Sequence, residues 1–283
     1  MRQRSDIGKI AFKTAAYIIL AAIALTMIFP YAWMLLTSFK DRIEAVSTLK
    51  LKFFPQKFLF GGYSEIFKKI PMLKGVLKTL IVEAAVIPVG TFVSALAAFS
   101  FSKLRLPYKT VFLMILMSGT MIPYAALMLP QYRTFDSLGM VNTLWPLILP
   151  GFFGNVVMMF FFIQYMKGIP AALVEAAKID GASYGRIFVT IVLPLMGPAL
   201  AVQIIFWFTG IWNDFFAPSI YLTQYDSMTL QPMLAKINGE NKSGVNLPLI
   251  MTGAVLSSVP IMIIYLAFQR LFVESVAISG VKG

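Results

Sequence analysis

The sequence offers little with which to do covalent chemistry. It contains neither cysteine nor histidine. That removes thiolate nucleophiles, thiolate metal sites and disulfides, together with the commonest general base and metal ligand. Within apolar stretches the only acids are Glu83 and Asp214. A charge inside a membrane is costly and is a functional candidate by default; the alternative is that both acids lie at the outer interface, where water reaches them. No nucleophile constellation and no pair of carboxylates suited to acid–base work occurs. The run Gly239-Glu240-Asn241-Lys242-Ser243 lacks the spacing of a phosphate-binding loop, so the chain cannot hold ATP by that device. What remains is recognition chemistry. Tyr124, Gln131, Asn155, Gln164, Trp207, Asn213 and Asp214 supply hydrogen-bonding groups and flat aromatic faces suited to lining the path of a polar solute. Taken singly, each reads first as a packing residue, because aromatic side chains gather at membrane interfaces. The chain is read as no enzyme, with no cofactor and no metal of its own.

The elements that must position these residues are long and apolar. Apolar residues make up 59% of the chain and charged residues 13%, where an ordinary soluble domain carries roughly 25% charged residues. Six apolar runs lie at about 14–38, 76–102, 110–132, 138–166, 195–222 and 246–268. Each matches or exceeds the about 20 residues that cross a bilayer core as a helix. The expected fold is therefore an all-α membrane protein, residues 1–283 forming a single transmembrane domain of six helices. The first run follows Arg2, Arg4, Lys9 and Lys13. It is too long for a signal-peptide core and no small-residue cleavage site follows it, so it reads as a retained span.

The net charge of +12 sits mainly at the ends of these runs, where membrane topology needs it, so no nucleic-acid partner is expected. The N-terminus, the 103–109 loop, the 167–194 segment and the tail share one side and all carry Lys or Arg. By the positive-inside rule both termini are cytoplasmic. The lysine-rich 40–74 loop falls outside and opposes the rule. With Phe53, Phe54, Phe58, Phe60 and the turn signal Gly61-Gly62, it reads as amphipathic pieces on the membrane surface. Pro88, Pro123, Pro146, Pro150, Pro218 and Pro260 lie in or near spans and predict kinks.

Between the fourth and fifth runs the character changes. Lys167, Glu175, Lys178, Asp180 and Arg186 are spread through helix formers. Pro170 suits a helix start, Asp180-Gly181 stops the helix with a residue that accepts the left-handed conformation, and Ser183 can cap a second one. The segment predicts a cytoplasmic helical hairpin over about 170–194.

The run Glu175-Ala176-Ala177-Lys178-Ile179-Asp180-Gly181-Ala182, followed by Phe188, Ile191, Leu193 and Pro194, resembles the EAA loop of binding-protein-dependent ABC importer permeases. Glu-Ala-Ala alone carries no information; the full spacing between the fourth and fifth of six spans does. The ending Gln269-Arg270-Leu271-Phe272-Val273 through Gly280-Val281-Lys282-Gly283, and Trp212-Asn213-Asp214-Phe215 followed by Pro218, resemble the carbohydrate-type group that includes the maltose-system G subunit.

The resemblance implies a permease subunit forming half of a translocation pathway for a sugar or oligosaccharide in a bacterial cell (inner) membrane. It implies a second homologous permease, two ATPase subunits carrying ATP and Mg, and an extracytoplasmic solute-binding protein. Glu175, Ala176, Ala177, Asp180, Gly181, Leu193 and Pro194 would couple to an ATPase, and Gly280, Lys282 and Gly283 would lie near the ATPases. The 223–245 loop would meet the binding protein. Non-sugar solutes stay open at this point. So does an ion-coupled secondary transporter, although the intramembrane acids and histidines it would use are nearly absent.

Overall fold

The computed structural model describes residues 2–47, 52–239 and 245–280. Among them there is no strand. The helices in order are α1 (Arg2–Ser38), α2 (Arg42–Val46), α3 (Gly61–Lys69), α4 (Met72–Lys103), α5 (Lys109–Gly119), α6 (Tyr124–Ser137), α7 (Trp145–Phe152), α8 (Val156–Met166), α9 (Ala171–Ile179) and α10 (Tyr184–Ile187). A π-helical turn at Phe188–Val192 leads into α11 (Leu193–Leu195), then α12 (Gly197–Trp212), α13 (Phe216–Tyr221), α14 (Leu230–Gly239) and α15 (Leu247–Gly280).

Five stretches are long and apolar enough to cross a bilayer: Phe12–Ser38, Met72–Lys103, Trp145–Met166, Gly197–Tyr221 and Leu247–Gln269. This is a multi-pass membrane protein. The third apolar run of the sequence is two helices, α5 and α6, that meet at 85°. Pro123 precedes α6 with ψ 133°. Proline has no N–H to give to the previous turn and disfavours the helical conformation in the residue before it, so α5 cannot run on. The fourth run is likewise broken. It begins at Trp145, and Gly154 stands at φ +84° between α7 and α8. The Asn155 side chain then accepts from the Met158 amide at 3.0 Å and caps α8.

The chain divides into two compact units. The first takes in Met1–Ile70 and Lys236–Val259. Its α1 exposes large apolar side chains over Phe12–Phe29, a surface suited to lipid. At the end of α1, Trp33 packs on Phe53 with ring centroids 5.8 Å apart, and Phe39 packs on Phe58, Phe60 and Tyr63. The Lys40 ammonium lies 4.3 Å from the Trp33 ring centroid and donates to the Lys52 carbonyl at 2.6 Å; burial lowers its pKa. Residues 53–63 are thus held against the end of α1 by their aromatic side chains.

The second unit takes in Pro71–Ala235 and Pro260–Gly283. Here α4 packs against α7, α8 and α12. Small residues let the backbones approach, as membrane helices require. A Cβ on Gly90 would stand 2.2 Å from Trp207 Cη2 and 2.4 Å from the Gly151 carbonyl oxygen. One turn later Ser94 Oγ donates to the Gly90 carbonyl at 2.7 Å and accepts from the Asn155 amide at 2.8 Å. The core then continues through Ala95, Ala98, Phe99, Phe162, Met166, Phe188 and Met196.

The Gly90→Ala substitution forces a shift of backbone as well as of the indole, and overpacking of this kind costs about 1–3 kcal/mol. Nothing lies within 4 Å of the Cβ position of Gly210 in α12, so Gly210→Ala stabilises by about 0.5–1 kcal/mol through helix propensity. Thermal unfolding of the detergent-solubilised chain should move in opposite directions for the two variants.

Candidate functional site

The hairpin is built from a helix stop of defined geometry. Gly181 sits at φ +80°, its amide donates to the Lys178 carbonyl at 3.1 Å, and the Ala182 amide donates to the Ala177 carbonyl at 2.9 Å. These two bonds satisfy the last carbonyls of α9 in the Schellman arrangement. Ser183 Oγ then accepts from the Arg186 amide at 3.4 Å and starts α10. The π turn that follows places the Leu193 amide on the Phe188 carbonyl. Pro194 has no N–H to offer the preceding turn, and Thr190 Oγ1 donates to the Arg186 carbonyl at 2.7 Å.

One face of this hairpin is anchored. Val174 is buried in the core, and Ala177 and Ala182 pack against it. Lys103 Nζ donates to the Ile169 carbonyl at 2.7 Å and ties the approach to α9 to the end of α4. The opposite face is open. Glu175, Ala176, Asp180 and Gly181 are exposed, and so are Leu173, Tyr184 and Ile179, the last at 87%. Leu193 is half-buried and Pro194 exposed. The exposed side of the hairpin thus combines the acids Glu175 and Asp180 with the apolar Leu173 and Ile179 and the aromatic Tyr184. Gly280 is the last residue of α15; Lys282 and Gly283 lie outside the described residues.

A second feature is a cavity of about 300 Å³ in the second unit, lined by Tyr124, Gln131, Asp214, Phe216 and Thr229 among others. Of the residues singled out from sequence, it brings together Tyr124, Gln131 and Asp214. It does not include Asn155, which caps α8, or Trp207, which packs on Gly90. Asn213 is exposed at the end of α12, and Gln164 is exposed and accepts from Lys167 Nζ at 2.9 Å. Asp214 has a local task as well: its Oδ1 accepts from the amides of Phe216 at 3.0 Å and Ala217 at 3.3 Å.

Three contributors escaped the sequence reading. Tyr221 is buried and its hydroxyl donates to Gln131 Oε1 at 3.4 Å. Asn142, at φ +62°, holds that region in place. Its amide donates to the Tyr221 carbonyl at 2.8 Å, while its Oδ1 accepts from the Thr223 amide at 2.8 Å and the Gln224 amide at 3.2 Å. An asparagine after Gly-Met-Val carries a turn signal, but nothing in sequence says that it clamps a loop far along the chain. Thr229, the third, is 5% exposed and its Oγ1 has no hydrogen-bond partner among the described residues.

Glu83 is shielded by the protein itself. It is 3% exposed on α4, with neither carboxylate oxygen hydrogen-bonded among the described residues. A buried polar group without a hydrogen bond is costly. Glu83→Met replaces the unpartnered carboxyl with an apolar side chain of similar volume, so the isolated chain should melt at a higher temperature, by the equivalent of about 1–3 kcal/mol. A lower melting temperature would show that the carboxylate is used.

Comparison with known proteins now bears on these features. Residues 87–278 match the family model described as binding-protein-dependent transport system inner membrane component. The chain is 31% identical to the arabinooligosaccharides transport system permease protein AraQ of Halalkalibacterium halodurans, over 93% of this chain and 94% of that one. It is 29% identical to the galactooligosaccharides transport system permease protein GanQ of Bacillus subtilis, over 95% of each. Among solved structures it is similar in fold to a chain of a bacterial ABC transporter involved in import of the acidic polysaccharide alginate. The TM-score there is 0.79 at 21% identity, covering 92% of this chain and 95% of that chain.

Proposed function

The chain belongs to the family of binding-protein-dependent transport system inner membrane components, and from that premise we propose that its hairpin couples an oligosaccharide pathway to partner ATPases. The chain is a transport permease subunit and not an enzyme. The observation that carries the coupling proposal is the hairpin's two-sidedness. Val174 fixes it to the core, while Glu175, Ile179 and Tyr184 face outward on a backbone that Gly181 and Ser183 define. Such an anchored element can pass a push on its outer face to the core. The coupling residues are Glu175, Ala176, Ala177, Asp180 and Gly181, with Leu193 and Pro194 joining the hairpin to α12.

A second permease of the same family completes the pathway. Two ATPases hold ATP and Mg beneath it, and an extracytoplasmic binding protein delivers the solute. The permease relatives are named for arabino- and galacto-oligosaccharides, which supports an oligosaccharide as cargo. Cavity residues Tyr124, Gln131 and Asp214 lie on the path. Both termini and the hairpin are cytoplasmic, in a bacterial inner membrane.

Gly181→Val forces a β-branched residue into the left-handed region, which costs about 1–2 kcal/mol locally. Glu175→Arg reverses a charge on the exposed face. Both variants should insert normally, yet substrate-stimulated ATP hydrolysis by the assembled complex should fall about tenfold, the equivalent of about 1.4 kcal/mol of lost coupling. Normal stimulation and normal uptake in both would remove the hairpin from the mechanism.

Sidedness has its own measurement. The chain has no native cysteine, so single cysteines report cleanly. In sealed cells an impermeant thiol reagent should label Asp226→Cys and leave Ser183→Cys unreacted; the reverse pattern inverts the orientation.

A further inference from the structure

The start of α5 gathers cations and apolar side chains at one end of the second unit. Helix α4 is long and apolar enough to cross a bilayer and ends at Lys103, so that end stands at the membrane surface. Lys103 Nζ donates to the Ile169 carbonyl, which brings the loop after α4 beside the segment that follows α8, and α5 packs on α8. Arg105, Lys109 and Lys167 therefore share this end with Lys103. Arg105 and Lys167 are exposed and Lys109 is half-buried. None of the four forms an ion pair among the described residues. Between residues 84 and 174 the sole acid is Asp136, which stands in the last turn of α6, beyond the bend.

The loop backbone is unusual as well. Tyr108 adopts φ 53° and ψ 25°, a left-handed conformation that is an outlier for a bulky residue, and its side chain is 79% exposed. Backbone outliers of this kind cluster at binding and switch regions. Just beyond Tyr108, no residue of α5 is buried. Val111, Met114 and Ile115 fall on one face of that helix with Phe112 at its flank, and all four are exposed. A soluble anion would engage the cations and leave this apolar stripe uncovered. A phospholipid matches both, since its phosphate meets the cations while its acyl chains run along the stripe.

We propose that the loop between α4 and α5 is a binding site for an anionic phospholipid. The phosphate lies among Arg105, Lys109 and Lys167, and the Tyr108 ring stands at the boundary between headgroup and hydrocarbon, where aromatic side chains gather. The acyl chains cover Val111, Met114 and Ile115. The headgroup must carry net negative charge, because the choline of a zwitterionic lipid would bring one more cation to a cluster whose own segments hold no acid. The site goes beyond the coupling role proposed for the hairpin and needs no ATPase.

The chain lacks native cysteine, so Met114→Cys can carry a single bimane reporter on the full chain in vesicles of mixed phosphatidylglycerol and phosphatidylcholine. Brominated acyl chains on one lipid or the other quench the reporter by contact. Matched quenching curves should give a local preference for phosphatidylglycerol of about fivefold, the size expected of one lysine or arginine beside an anionic headgroup. Arg105→Gln combined with Lys109→Gln should bring the preference to near unity, and Arg105→Lys combined with Lys109→Arg should keep it. A bimane on Leu25→Cys, in α1, should show none. Glycerol phosphate at matched ionic strength should leave the preference unchanged; displacement by it assigns the cations to a soluble phosphate and overturns the lipid site. Equal quenching by the two lipids at Met114→Cys, an equal preference at Leu25→Cys, or a preference that survives loss of both cations also overturns the proposal. Should the double Gln variant fail to insert, ionic strength decides: at 1 M salt the screening length is about 3 Å, so the preference should fall toward unity, and one unmoved by salt overturns the site. Neither ATPase nor sugar is present, so the outcome is independent of the coupling measurements.

Discussion

The second unit depends on how closely α4 approaches its neighbours. In a bilayer the lipid tails are as apolar as the side chains, so burial alone does not drive helices together; packing and internal hydrogen bonding decide. At Gly90 the α4 backbone comes close enough that any Cβ would strike the Trp207 indole and the Gly151 carbonyl. That approach sets where α7 and α12 lie against α4. Val82 on α4, Pro146 on α7 and Ile211 on α12 then become walls of one cavity. A looser crossing would separate those walls.

The close crossing requires that every break in the neighbouring helices be satisfied internally, since lipid offers no partner for free amides or carbonyls. Each break has its own device. Gly154 turns the chain, the Asn155 amide finds Ser94, and the Asn155 side chain caps α8. Asn142 gathers the amides of Thr223 and Gln224, and Asp214 those of Phe216 and Ala217. Irregular backbone thus occurs beside the cavity and at the hairpin, where side chains or water can meet it. Asp214 shows the economy of this: the residue that caps a short helix also gives the cavity its charge.

Periodicity and composition made the spans legible, because long apolar stretches need no long-range information to recognise. The helix stop and the cap were legible because Gly181 and Ser183 act within a few residues of themselves, and the structure gives them the geometry their types imply. The right-angle bend between α5 and α6 was not legible as a bend. Pro123 signals an interruption, while the 85° angle depends on what the two helices pack against. The cavity divided in the same way. Tyr124, Gln131 and Asp214 stood out as polar or aromatic residues in apolar runs. Asn155 and Trp207 looked identical in sequence but serve a cap and a crossing. Tyr221 gave no signal, since its role comes from contacts far along the chain.

Packing also offers a contiguous route between hairpin and cavity. Val174 on α9 shares a core with Phe188 and Val192 of the π turn. Phe188 meets Phe92 and Phe99 of α4 with ring centroids 5.7 and 5.3 Å apart. The same helix α4 carries Gly90 against Trp207 and, further along, Val82 into the cavity wall. Close-packed cores deform little and pass displacement on. The π turn is the element of this route with the least regular hydrogen bonding, and such turns are frequent at functional sites. A push on the anchored hairpin is therefore taken up either by rewinding at Phe188–Val192 or by movement of α4. The second choice moves a wall of the cavity, and this is the movement that the proposed coupling role of the hairpin requires.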